Sequence, residues 1–321
     1  MGIIRPKLLP FCVLFLAVSA SGQWQKIEVG SLSWFHAVHF IDDRSGWVGG
    51  SSGSLFRTND GGRNWRKVGL STTDLVRDIV FFDRLKGWML LERDRFARSG
   101  YENSSYLMRT IDGGDNWSRH EFAPGTELRA RIFAGRNGRL FSLGEGGVII
   151  ELLDDGAERR IALPSKYLGL AAAFVDETRV VVAGGGGSVF ASDDMGQNWR
   201  SVISGGKEAA RRLNSLFFAD ERNGWSCGND GIVLRTRNGG RSWQRMETGV
   251  KNDLLDIRFF KSETGFAVGS GGVILRSNDG GESWQVERNA VKHSLERLSF
   301  AGNTAIAVGY GGTVILTELR Q

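Results

Sequence analysis

The sequence predicts an all-β fold: a seven-bladed β-propeller of four-stranded antiparallel blades, closed by an N-terminal strand that completes the last blade. Three observations predict it. One pattern recurs about every 40 residues along the chain. Within each copy, short runs rich in β-branched and aromatic residues alternate with glycine clusters. The 45 glycines stand against 4 prolines without a Gly-X-Y period, the composition of many tight turns between short strands.

The first element is set apart from the fold. Arg5 and Lys7 precede an apolar run from Leu8 to Ala20, and small residues follow in Val18-Ser19-Ala20 and Ala20-Ser21-Gly22. Residues 1–22 therefore read as a cleavable signal peptide, and the chain as exported to a periplasm, a thylakoid lumen or the extracellular space. The run is short for a bilayer span and none comparable follows, so contact with a membrane is expected to be peripheral at most. Cys12 falls in this leader, which leaves Cys227 as the one cysteine of the exported chain, without a disulfide partner. Residues 23–321 are expected to form a single domain and a monomer.

Each repeat runs in the same order: an apolar strand, Gly-Trp or Gly-Phe, a glycine cluster, another strand, and a box that ends in Trp. The first strand is seen in Ala37 to Phe40, Ile79 to Phe82, Leu216 to Phe218 and Ile257 to Phe260, and the second in Gly46-Trp47, Gly87-Trp88, Gly224-Trp225 and Gly265-Phe266. The third runs into a box with the Asp-box pattern, Ser/Thr-x-Asp-x-Gly-x-x-Trp. Its five copies pair Asp60 with Trp65, Asp112 with Trp117, Asp194 with Trp199, Asn238 with Trp243 and Asp279 with Trp284. An Asp or Asn oxygen accepts hydrogen bonds from the N–H groups of its own turn, and a following Gly takes φ > 0 without steric cost. The Trp supplies a large apolar surface between sheets. These residues read as architecture.

Seven copies follow from approximate spans 35–68, 75–120, 128–162, 168–203, 213–247, 254–287 and 295–321. The third keeps Asp154-Asp155-Gly156 without a Trp, and the seventh lacks a fourth strand. Gln23-Trp24-Gln25-Lys26-Ile27-Glu28 looks like that missing strand, which would join the two ends in one blade and remove an open sheet edge.

Function is sought on the face opposite the Asp boxes, where the loops between second and third strands and between blades lie. Its glycine clusters, such as Gly184 to Gly187 and Gly309-Tyr310-Gly311-Gly312, open no helix, which argues against a phosphate cradle. Basic residues are expected there: Arg77, Arg129, Arg131, Lys166, Arg211, Arg212, Lys251 and Lys292. The insertion from Glu92 to Tyr106 adds Arg93, Arg95, Arg98 and Tyr101. Net charge is +5, spread in both signs without a Lys/Arg block, which argues against nucleic acid. Ordinary solvated rim charge is the competing account of these residues. Of the tryptophans, Trp34 alone has no place in the repeat.

No catalytic residue, metal site or cofactor is expected. His36, His39, His120 and His293 lack ligand spacing. Sialidases with Asp-box propellers use a Tyr/Glu pair and an arginine cluster, and no convincing pair is found here.

The phrases Gly224-Trp225, Leu234-Arg235-Thr236 and Asn278-Asp279-Gly280-Gly281-Glu282-Ser283-Trp284 resemble the photosystem II stability and assembly factor family, over about residues 24–321. The resemblance implies a non-enzymatic scaffold; photosynthetic members bind the precursor D1 reaction-centre subunit during assembly and carry an arginine-rich stretch between the fourth and fifth blades. Arg211 and Arg212 stand in that stretch here. The expected partner is a protein client with an acidic or carboxylate-ended segment, such as a membrane-protein assembly intermediate. A glycoside hydrolase or carbohydrate-binding Asp-box propeller is the alternative.

Overall fold

The apolar runs pair into seven antiparallel sheets of four strands, and within each of six the strands lie side by side in chain order. The structure, a computed structural model, describes residues 23–94, 103–135, 138–153, 155–166, 169–203 and 211–319. Strands are numbered along the chain from β1 (Gln25–Ile27) to β28 (Val314–Glu318). The innermost strand of each blade is β2 (Phe35–Phe40), β6 (Leu75–Phe81), β10 (Arg129–Ala134), β14 (Gly169–Phe174), β18 (Leu213–Phe218), β22 (Leu254–Phe260) or β26 (Leu295–Ala301). Each touches the next around the ring, and β26 returns to β2.

The seventh sheet has the order β1, β28, β27 (Thr304–Gly309), β26. Gln25, Lys26 and Ile27 pair with Leu316, Ile315 and Val314, as the orphan strand predicts. Trp24, 6% exposed, meets Phe266 of the sixth blade edge to face at 5.3 Å, so the closing strand also wedges two blades together. On its other side the seventh blade is joined to the first, where Arg63 pairs with Glu318 at 2.5 Å.

Aromatic packing between blades explains the Gly-Trp and Gly-Phe pairs. Trp47 of the first blade stacks on Phe81 of the second at 3.8 Å, and Trp225 of the fifth on Phe259 of the sixth at 3.6 Å. The box residues Trp117 and Trp284 close on the same two rings edge to face. Each Phe ring lies flat over the Gly of its own second strand: a Cβ on Gly265 would come within 2.4 Å of Phe259. The glycine is thus required by the ring beside it.

The Asp boxes are compact turns on one face of the ring. In the first, the Asp60 carboxylate accepts from the N–H of Arg63 (3.1 Å) and of Asn64 (2.9 Å), while Thr58 donates to it at 2.8 Å. Asp112, Asp194 and Asp279 accept the equivalent N–H bonds, and Asn238 does so through its amide oxygen. Hydrogen bonds from Asn116 and Asn198 hold the carboxyls of Asp112 and Asp194 down at about 2. In the third blade the buried Glu151 takes ion pairs from Arg139 (2.8 Å) and Arg159 (2.5 Å).

On the opposite face, the glycine clusters turn tightly beneath the connections between blades. Gly312 has φ +74°, and a Cβ there would meet the Ser31 carbonyl at 1.7 Å. Its glycines serve that approach and close the turn.

Candidate functional site

The site begins with a local irregularity repeated seven times. Each inner strand carries a bulge near its start, leaving one residue unpaired: His36, Arg77, Ala130, Leu170, Asn214, Leu255 or Glu296. A bulge adds a residue against one on the partner strand and re-aims its side chain. These residues ring the mouth of the central channel on the face away from the Asp boxes. Alternation along β2 is reset at His36, so its relation to His39 is not the opposed-face arrangement that a regular strand predicts.

Below the mouth lies a cavity of about 410 Å³ lined by ionisable residues of several blades. Inner strands expose one edge of backbone to the channel, and side chains of the neighbouring blades satisfy it. Asp78 accepts from the N–H of Ile132 (3.1 Å), and Asp256 from that of Leu298 (2.8 Å). His39 accepts from Phe81 N–H through Nε2 at 3.2 Å, and Asn214 donates to the Leu254 carbonyl at 2.8 Å. Asp256 also pairs with Arg258 at 2.9 Å and accepts from Ser215. Burial pushes the Asp78 carboxyl up against the pull of Arg131, and pushes His39 down to about 4. Burial likewise drives the Cys227 thiol well up, consistent with an inert core residue.

Arg131 lines this cavity, close enough to Arg77 nearer the mouth for the two guanidinium charges to act on each other. Arg77 pairs with Glu92 at the base of the insertion. Arg131 makes one long hydrogen bond, Nε to the Leu170 carbonyl at 3.4 Å, and no ion pair within 4.0 Å among the described residues. Burial lowers its pKa, while Asp78 and Asp256 raise it. Both arginines act on His36, whose imidazole is held at about 4 chiefly by burial. Both also act on Glu296, whose carboxyl burial raises and whose Oε1 accepts from Trp34 Nε1 at 3.1 Å.

Two expected site residues lie inside the fold instead. Arg129 is 1% exposed and donates to Ser142 Oγ, the Ser142 carbonyl and the Val148 carbonyl, so its guanidinium braces the third blade. Its strand position matches Phe35 and Leu295 of other blades, a core position that an Arg fills here. Arg93 is 8% exposed, lies over the Tyr106 ring and pairs with Glu121 at 2.5 Å. It anchors the insertion and presents little charge to a partner. Arg95, Arg98 and Tyr101 lie outside the described residues.

Arg211, Arg212 and Lys251 form a separate group on the outer rim of the fifth and sixth blades. Arg211 and Lys251 border a second cavity of about 490 Å³, with Arg211 Nε 3.4 Å from Asp230. Arg212, Lys251, Lys166 and Lys292 are exposed. The basic residues thus fall into a mouth group and a rim group.

The sequence argument missed Trp34, His36 and Glu296 as a unit. Trp34 packs on His36 at 4.8 Å and on Tyr310 edge to face at 5.5 Å. Its standing outside the repeat was the available signal.

The described residues define a closed Asp-box propeller whose inner strands are stapled across blades by side-chain hydrogen bonds. Residues 16–77, 157–237 and 236–318 match the family model described as photosynthesis system II assembly factor YCF48. The chain belongs to this family. Among relatives, the chloroplastic photosystem II stability/assembly factor HCF136 of Cyanidioschyzon merolae is 26% identical over 205 residues, 58% of this chain and 47% of that protein. The Arabidopsis thaliana protein of the same name is 25% identical over 243 residues, 70% of this chain and 59% of its own length. The chain spans about half the length of these relatives. A solved structure of YCF48 bound to D1 peptide superposes with TM-score 0.76 at 20% identity, covering 94% of this chain and 96% of that one. A virginiamycin B lyase from Staphylococcus aureus reaches 0.75 at 13% identity and shares the fold alone.

Proposed function

We propose that this chain is a non-enzymatic assembly scaffold that recognises an acidic or carboxylate-ended segment of a protein client at the channel mouth, with the rim group of arginines adding long-range attraction. The observation that carries the reading is Arg131: a guanidinium lining the cavity below the mouth, within electrostatic reach of Arg77, with one long hydrogen bond and, among the described residues, no ion pair within 4.0 Å. A charge so placed is poised to gain bidentate hydrogen bonds from an entering carboxylate. Family membership and a solved YCF48 bound to D1 peptide support a protein as the client. The leader-like residues 1–22 and the chloroplastic and lipoprotein relatives support an exported protein.

The test is a titration of a labelled acidic peptide with a free C-terminal carboxylate. Binding is expected to weaken steeply between roughly 0.05 and 0.3 M salt. Arg131→Met is expected to cost about tenfold, and Arg211→Glu with Arg212→Glu to act chiefly on the association rate. Binding unchanged by all of these substitutions would reject the reading.

A further inference from the structure

Beside the arginines lies a surface that charge recognition does not use. Leu32 is 89% exposed, Trp34 40% and Tyr310 49%, three of the large apolar side chains left in solvent among the described residues. All three belong to the seam between the seventh and first blades. Their backbone is fixed from several directions. Ser33 Oγ shares a hydrogen bond with Ser54 Oγ at 2.6 Å, and Trp34 N–H donates to Ser51 Oγ at 2.9 Å. The Ser33 carbonyl accepts from Gly312 N–H at 2.6 Å, and the Trp34 carbonyl from Ser51 N–H at 2.9 Å. Trp34 is held further by Glu296 and by the rings of His36 and Tyr310. Apolar side chains held out to water on a fixed backbone lose little freedom on binding, the property of an interface anchor.

We infer that Leu32, Trp34 and Tyr310 form an apolar anchor site for the same client segment, which places an aromatic or long aliphatic side chain there while its carboxylate reaches Arg77 and Arg131. This rests on the proposed function and adds a sequence requirement to it. Electrostatic continuity selects this occupant: Glu296, which accepts a hydrogen bond from Trp34, and His36, whose ring packs tilted against the indole at 4.8 Å, are both within reach of the charges of Arg77 and Arg131. One short peptide can therefore meet both halves. A second copy of this chain would have to bring a carboxylate beside an apolar side chain to do the same.

The experiment is a double-mutant cycle by fluorescence anisotropy on the full chain. The probe is the labelled peptide Gly-Ser-Gly-Ser-Phe-Ser-Asp-Glu with a free carboxylate, and its counterpart with Ser in place of Phe. Wild-type protein is expected to favour the Phe peptide by about tenfold, a preference that persists at high salt. Trp34→Ala should abolish that preference, costing the Phe peptide about tenfold more affinity than it costs the Ser peptide. Leu32→Ser, at a position too exposed to affect folding, should reduce the preference severalfold. Equal affinity of wild type for both peptides, with salt-dependent binding retained, overturns the anchor alone. Absence of binding to either peptide overturns the charge reading and the anchor with it. Sedimentation that shows Trp34→Ala dissociating a dimer would assign the surface to a second copy instead.

Discussion

At the scale of single residues, the account rests on groups whose chemistry is set by one neighbour. Gly265 lies under the ring of Phe259, which Trp225 stacks on and Trp284 meets edge-on. Gly265→Ala is expected to cost about 1–3 kcal/mol, the range for overpacking a filled core, in urea unfolding. Gly69→Ala, where an added Cβ meets nothing within 4 Å, should fall within about 0.5 kcal/mol of wild type. Equal effects at the two positions would mean that the ring does not set the glycine. His39 gives a pH signature. Its imidazole titrates near 6.5 when unfolded and about 4 when folded, so between these values the unfolded chain binds more protons. The stability drawn from neutral His39 is fully present above about pH 6.5 and lost as pH falls through about 4. Asp78 and Glu296, whose carboxyls are raised, act in the opposite sense, so the test is differential. The advantage of wild type over His39→Gln should shrink as pH falls from 6.5 to 4. A constant difference would show that Nε2 does not need its lone pair for Phe81.

At the scale of elements, closure and the boxes were legible in the sequence, and the bulges were not. Trp24-Gln25-Lys26-Ile27 could be read as a missing fourth strand because six other repeats display what a fourth strand looks like. The Asp boxes could be read because their turn chemistry is local: Thr58, Asp60 and Gly62 satisfy one another within five residues. Bulges depend on register between strands, and a register shift leaves alternation intact on either side, so the ring from His36 to Glu296 had no sequence mark. The same gap explains Arg129 and Arg93. Arg129 follows a connection on the expected face and Arg93 opens one, and their burial depends on acceptors, the Val148 carbonyl and Glu121, that come from other strands and connections. Deletion of residues 23–30 removes a strand, opens the edge of β28 and uncovers Phe266. The truncated chain is expected to melt far below the full one or to associate, since an exposed edge strand templates pairing. A variant that melted like the full chain would refute strand closure as a source of stability.

At the scale of the whole molecule, seven similar sheets have become a ring with two unlike faces. One is occupied by Asp-box turns that bond within themselves. The other gathers bulged residues and an exposed aromatic seam around a channel that Arg131 lines and whose walls are stapled blade to blade by Asp78, Asp256, His39 and Asn214. Such staples tie the inner strands to one another, so the proposed site would need little ordering before a peptide entered it. Hydrogen exchange of the full chain with and without a carboxylate-ended acidic peptide tests this division most directly. Protection is expected at the starts of the first three inner strands, near residues 35–37, 75–78 and 129–131, and in the 29–34 connection. Protection confined to the Asp-box turns, or none at a saturating peptide concentration, would contradict recognition at the channel mouth.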